Sequence, residues 1–219
     1  MKRTLTWTVA CLLVLFAGRA SAQEPSFGEA GHVAISAERL FGYVHASRTQ
    51  TVGGTETTAS QDYFTLLTNP VGAVSGYGWP RIGIDAFVAG GFSVGGALGF
   101  FYLSDQDEDS STGFLLAPRI GFAVPVGPRV SIWPRVGVTY WHISSNPSGS
   151  DTDTSSSAVA VTIEVPVTIL VAPRVGFTIG PTVDIGVGGS ASASVGGASI
   201  SADQRYTDIG GHAGLLLFL

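Results

Sequence analysis

The chain has 219 residues, with 11 lysine and arginine residues against 16 aspartate and glutamate residues, and a net charge of −5. An acidic chain is a poor ligand for nucleic acid, because phosphate contacts need clustered cations, so we expect no nucleic-acid partner. The single cysteine, Cys11, excludes a disulfide framework and a thiolate metal site, and the length suits one domain.

The N-terminus has the features of a secretory signal peptide. Lys2 and Arg3 form a positive n-region, residues 5–16 are apolar, and Ala20, Ser21 and Ala22 form a small-residue cleavage site. We therefore predict a cleaved signal peptide over residues 1–22 and an exported mature domain over residues 23–219. No later apolar run approaches the ~18–20 residues of a transmembrane helix, so we expect none.

Beyond residue 22, apolar and polar residues alternate with the period of two that indicates β-strands. Short turns alternate with long polar connectors, which is typical of transmembrane β-barrels. The connectors lie at about residues 47–78, 105–113, 145–156 and 188–204. The pattern predicts an all-β fold, an eight-stranded antiparallel up-and-down transmembrane β-barrel. Its strands lie at about residues 32–46, 80–88, 92–103, 114–125, 130–144, 158–171, 177–187 and 205–219.

Two features of the first part of the chain depart from this simple pattern. Residues 63–68 resemble a ninth strand, which would make the strand count odd, so we interpret them as part of the first connector, with a ten-stranded barrel as the alternative. Glu38 and Arg39 are adjacent in the first strand, so one of them would face lipid unless the strand bulges. We predict a β-bulge there.

The charged residues of the later predicted strands share a face with small residues. Over residues 157–187, for example, valine and isoleucine occupy one face while Glu164 and Asp184 lie on the other. A charge on the lipid side near the midplane costs about 2–4 kcal/mol, so these charges should point inward. The predicted interior network comprises Glu38, Arg81, Asp85, Arg119, Arg135, Glu164, Asp184, Asp208 and His212.

An eight-stranded barrel has room inside only for side chains or one small ligand, and buried charges must pair. We therefore predict that salt bridges plug the interior, with a narrow polar channel for small solutes as the alternative. The acidic run at residues 105–109 lacks the glycine and glutamate positions of a calcium-binding loop. We expect no bound metal and no cofactor.

One motif suggests an enzyme. Residues 141–146, Trp-His-Ile-Ser-Ser-Asn, resemble the His-x-Ser-Asn motif of outer-membrane lipid A deacylases, with an extra serine before the asparagine. In a strand, His142 and Ser144 share a face, where a base and a nucleophile could attack an acyl ester. The sequence offers them no evident orienting carboxylate. We therefore expect no enzyme activity and keep a deacylase using His142 and Ser144 as an alternative.

The last strand carries a second recognisable pattern. His212, Gly214, Leu217 and Leu219 fit the polar-x-Gly-x-x-apolar-x-apolar signal read by the barrel-assembly machinery, although the chain ends in leucine rather than phenylalanine or tryptophan. With the signal peptide and the strand pattern, the mature chain resembles the small bacterial outer-membrane β-barrel family, which includes OmpA-like barrels.

This resemblance implies residence in the bacterial outer membrane. It implies contact with membrane lipid and lipopolysaccharide, assembly by the barrel-assembly machinery, and a monomeric state. The resemblance is not specific to one function, and with a plugged interior we expect a structural role or one of surface interaction.

Overall fold

The computed structural model describes residues 27–67, 75–104, 110–146, 152–195 and 198–219. The predicted signal peptide and the acidic run at residues 105–109 lie outside them. No helix among the described residues has the length and hydropathy to cross a membrane. The strands are β1 Val33–Val52, β2 Thr55–Leu66, β3 Arg81–Phe87, β4 Phe92–Ser104, β5 Ser110–Phe122, β6 Val124–Gly127, β7 Val130–Ile132, β8 Arg135–Asn146, β9 Thr152–Glu164, β10 Val167–Ala172, β11 Val175–Val195 and β12 Ala198–Phe218.

Eight strands form a closed antiparallel wall. They pair in the order β12-β1-β3-β4-β5-β8-β9-β11, and β11 pairs again with β12 to close the ring. The short strands β6, β7 and β10 continue the wall strands, and Pro134 and Pro166 lie at the two breaks before β8 and after β9. Proline interrupts a ladder there because it has no N–H. The predicted eight-stranded barrel is confirmed.

Strand β2 is an addition to this ring. Among the described residues it pairs only with β1, from Phe41↔Leu66 to Val52↔Thr55. The short strand β3 uses the same edge of β1, but only over residues 33–38. The ten-stranded alternative is therefore wrong. Residues 63–66 belong to a strand that extends the wall at the end away from the chain termini, which we call the hairpin end.

The strands at the hairpin end are longer than the sequence predicted. Residues 190–195 pair with residues 198–203, and residues 152–157 continue β9. The prediction that connectors occupy most of residues 47–78, 145–156 and 188–204 was thus wrong. These stretches are rich in serine, threonine and glycine and lack apolar alternation. A strand that projects beyond the apolar exterior needs no apolar face, since its backbone hydrogen bonds alone continue the ladder.

The wall has an apolar exterior and a filled interior. Outward residues include Leu98, Phe100 and Ile179, with 63%, 73% and 55% of their surface exposed. Inside lie two aromatic layers. The lower aromatic layer, near the termini, comprises Phe27, Phe87, Trp133 and Phe218. The upper aromatic layer, toward the hairpin end, comprises Tyr77, Trp79, Trp141 and Tyr206.

Candidate functional site

A bulge in β1 places two adjacent charges inside the barrel. The pairing of β1 with β12 shifts register between Ala37 and Phe41, and Arg39 adopts a left-handed backbone with φ of 54°. Successive residues of a regular strand point to opposite faces, but here Glu38 and Arg39 are both buried. The bulge expected from the sequence is present. It also brings in Arg39, which the predicted network did not include, although the adjacent pair of charges was the signal for it.

Glu38 is the centre of one half of the network between the aromatic layers. Its carboxylate accepts hydrogen bonds from Arg119 Nη1 and Nη2 at 2.7 Å each and from Arg135 Nη1 at 2.7 Å. Arg81 Nε lies 3.1 Å away, and the Ser36 hydroxyl donates at 2.8 Å. One carboxylate therefore joins arginines from three different strands.

Glu164 and Asp184 form the other half. Glu164 pairs with Arg39 at 2.9 Å and Arg135 at 2.8 Å, and also with Arg81. Asp184 accepts from Arg39 Nη1 at 2.9 Å and from the Thr162 hydroxyl at 2.6 Å. Because Arg81 and Arg135 contact both Glu38 and Glu164, the two halves form one network.

The paired charges are balanced. Asp85 accepts from Arg119, which completes four arginines and four carboxylates. The eight residues of this charge layer are Glu38, Arg39, Arg81, Asp85, Arg119, Arg135, Glu164 and Asp184. Asp208 and His212 are also buried, but neither forms an ion pair with a described residue. Asp208 lies opposite Asp184 in the β11–β12 ladder, and His212 lies opposite Gly42.

The interior has little free space around these charges. Gly83 provides room for two of them: a Cβ there would lie 2.6 Å from Arg119 Nη2 and 2.9 Å from Glu38 Oε1. The cavities beside the charge layer measure only about 10 and 20 Å³. A volume of this size accommodates about one water molecule.

Besides the ion pairs, the interior holds buried hydroxyl side chains such as Ser93, Thr139 and Thr178. No cluster of three or more histidine, cysteine, aspartate or glutamate side chains able to hold a metal occurs among the described residues. Arg135 stacks 4.6 Å from the Trp133 ring centroid, which links the charge layer to the lower aromatic layer. The arrangement is suited to fill space and hold strands together.

The His-x-Ser pair suggested by the sequence lies on the outside of the wall. His142 packs against the Phe114 ring, with centroids 5.8 Å apart, and is partly exposed. Ser144 lies two residues further along β8. No described carboxylate forms an ion pair or hydrogen bond with His142, so the structure brings no orienting acid to this pair.

Three residues of the predicted assembly signal, His212, Gly214 and Leu217, lie in β12, the last strand, and Leu219 follows its end. His212 and Gly214 face the interior, while Leu217 and Leu219 lie on the outward face near the chain terminus. β12 is paired on both edges, with β1 and β11, so this strand closes the ring.

Comparison with solved structures adds information about the fold. OprG from Pseudomonas aeruginosa is similar with a TM-score of 0.53 and 10% identity, over 87% of this chain and 97% of that chain. AlkL in DMPC bilayers is similar with a TM-score of 0.50 and 13% identity, over 92% and 96%. The protease OmpT from Escherichia coli is similar with a TM-score of 0.46 and 8% identity, over 89% and 99%.

The fold is that of the small outer-membrane β-barrels. The resemblance predicted from the sequence is confirmed at this level. No family model and no curated protein matches the chain. At these low identities, the likeness to solved structures shows the fold alone.

Proposed function

We propose that this protein is a closed, non-conducting barrel of the bacterial outer membrane with a structural or surface-interaction role. Three successive layers fill its interior: the lower aromatic layer, the charge layer and the upper aromatic layer. The observation that carries the proposal is the charge layer, in which four arginines and four carboxylates are joined across the lumen. An ion crossing the lumen would have to break these contacts.

The hairpin end is the part that we assign to the cell surface. Its strands project beyond the apolar exterior and carry mostly serine, threonine and glycine, a composition suited to contact with water and lipopolysaccharide sugars. There the strands enclose an open cavity of about 450 Å³ above Trp141 and Tyr206. Arg48 lines this cavity and forms no ion pair with a described residue, so the site favours a polar or anionic group on a surface partner.

Export, assembly and oligomeric state complete the proposal. The protein is exported by a cleaved signal peptide over residues 1–22, and the barrel-assembly machinery recognises its last strand. It then resides in the membrane as a monomer, which needs no partner chain because its own ring is closed.

Conductance across a planar bilayer tests the closed interior directly. The refolded full chain should insert without producing a steady current, whereas the alternative small-solute channel would give discrete, persistent conductance steps. The charge-neutral double variant Glu38→Ala/Arg119→Ala removes one carboxylate and one guanidinium from the lumen, and it should open a small conductance. The faster migration of the unheated protein in gel electrophoresis serves as the check that each sample is folded.

A matched control separates opening of the lumen from general damage. Leu98→Ala truncates a side chain that is 63% exposed and points away from the lumen. It should remain silent in the bilayer. Steady current through the wild type would overturn the proposal. A double variant whose current equals that of the Leu98→Ala control would also overturn it.

A further inference from the structure

A hydrogen-bonded histidine and aspartate lie on the outside of the barrel, on the β1–β2 hairpin. His45 Nδ1 lies 2.8 Å from Asp62 Oδ1, and the Tyr43 hydroxyl donates to the same oxygen at 2.8 Å. An ionised carboxylate only accepts, so His45 Nδ1 carries the proton and donates it to Asp62. His45 Nε2 is then left with the lone pair that a general base needs.

A serine lies on the same face. Ser47 is two residues beyond His45 in β1, so both side chains point outward. Across the ladder, Ser60 pairs with Ser47, and the Ser60 hydroxyl donates to the Ser47 oxygen at 3.4 Å. Since Ser47 accepts that bond, its own hydroxyl proton remains available to the base.

The position of these residues along the barrel axis indicates which part of the membrane they would contact. On the side toward the membrane, Tyr43 packs on Phe64 with ring centroids 5.2 Å apart, and Phe41 pairs with Leu66. Phe64 is 77% exposed, as expected of a side chain that contacts lipid. On the other side, the Thr49 and Thr58 hydroxyls bond to each other at 3.0 Å. The His45–Asp62 pair thus lies where the outward face changes from apolar to hydroxylated.

We propose that Asp62, His45 and Ser47 form an esterase site on the outer surface of the barrel, acting on acyl esters of outer-leaflet lipids. This inference goes beyond the proposed function, because it uses no residue of the plugged interior. It would replace the expectation of no enzyme activity made from the sequence. Ester bonds of membrane lipids lie between the acyl chains and the polar headgroup, which is the level of this site.

The reaction balances with water as the only co-reactant. Ser47 Oγ attacks the ester carbonyl carbon while His45 Nε2 takes the hydroxyl proton. The C–O bond to the alcohol then breaks, and His45 returns the proton to the leaving oxygen, which leaves an acyl-serine. Water attacks this acyl group by the same proton transfers and releases a fatty acid and free Ser47.

Asp62 is a positioning residue, since it acts through His45. The hydrogen bond from His45, and to a smaller extent the one from Tyr43, holds the pKa of the Asp62 carboxyl below its ordinary value. This carboxyl therefore remains a hydrogen-bond acceptor. The Ser60 hydroxyl donates a hydrogen bond to Ser47 Oγ, and it is the donor that we assign to the developing oxyanion.

Fatty-acid release from two substrates provides the test. The full folded chain is incubated with phosphatidylethanolamine–phosphatidylglycerol vesicles in one arm and with purified lipopolysaccharide in the other, which distinguishes the two sources of acyl ester. Ser47→Ala and His45→Gln should each lower the rate by about 10²-fold or more. A fluorophosphonate probe should label Ser47 covalently, as identified by mass spectrometry.

Further variants separate catalysis from structure. Asp62→Asn should lower kcat with little change in KM, and Asp62→Glu should restore part of the loss, which a purely structural role would not produce. His142→Gln alters the second His-x-Ser pair, which has no orienting acid, and should leave the rate unchanged. No fatty-acid release in either arm, labelling of Ser60 or Ser144 in place of Ser47, or full activity in Ser47→Ala would overturn the proposal.

Discussion

At the scale of single residues, the charge layer depends on which side chains accept hydrogen bonds and on which positions leave space for the arginines. Glu38 receives hydrogen bonds from three arginines and one serine, while Gly83 has no side chain to occupy the space that they fill. A buried ion pair contributes little net stability against an apolar replacement of both partners, but removal of one partner leaves the other charges buried and uncompensated.

Replacement of Glu38 by glutamine should therefore be strongly destabilising. The variant keeps the size of the side chain and removes its charge, which leaves the charge layer with four arginines and three carboxylates. We expect the free energy of unfolding to fall by about 3–5 kcal/mol, measured by urea titration in detergent micelles. Glu56→Gln, at an exposed position of the β1–β2 hairpin, serves as the matched control. Equal stability of the two variants would contradict the central role of Glu38.

Gly83→Ala tests the room left for the arginines. The new Cβ would lie 2.5 Å from Ser36 Oγ and 2.6 Å from Arg119 Nη2, so those atoms must shift. Overpacking of this kind costs about 1–3 kcal/mol. Gly188→Ala is the control, because no atom lies within 4 Å of its added Cβ. The prediction fails if both alanines change the urea midpoint by the same amount.

At the scale of elements, the strands that alternate apolar and polar residues were predictable, and those that project from the membrane were not. In residues 158–171 apolar and polar residues alternate because one face of the strand contacts lipid and the other faces the lumen. Residues 190–195 are serine and alanine with one valine, so their composition suggested a loop, although the ladder continues through them. The same limit applied to β2, whose residues 55–62 are polar apart from Ala59.

The candidate sites were predictable to different degrees. A lipid-facing charge is costly, so the inward direction of Arg81, Arg119 and Glu164 followed from period two alone. The location of Arg39 depended on a local bulge, and its partners come from strands far away in sequence, which no pattern along the chain encodes. His45 and Asp62 are 17 residues apart and meet only because β2 folds back on β1.

Strand β2 should be less protected than the strand on which it folds. It is hydrogen-bonded to β1 alone among the described residues, whereas β1 is paired on both of its edges. Amides in residues 55–62 should therefore exchange with deuterium sooner than those in residues 43–50, as measured by mass spectrometry of the folded protein in micelles. Equal protection of the two segments would show that β2 is held by more than this one ladder.

At the scale of the whole molecule, closure of the ring and filling of the lumen have one physical basis. Eight strands enclose a space narrow enough for side chains from opposite walls to meet, and the low polarity around these charges makes their pairing obligatory. The wall and the charge layer thus stabilise each other. The outside of the barrel is not subject to this constraint, so the sequence of the hairpins can change without loss of the packed interior.

The tip of the β1–β2 hairpin offers a practical use of this freedom. Gly53 and Gly54 have positive φ values of 57° and 83°, and nothing lies within 4 Å of a Cβ added to either. A short peptide epitope inserted between them should leave the heat-dependent gel shift intact. Antibody staining of intact cells should then detect it, and staining only after permeabilisation would reverse the orientation assigned to the barrel. A hairpin that tolerates such an insertion would make this chain a scaffold for surface display.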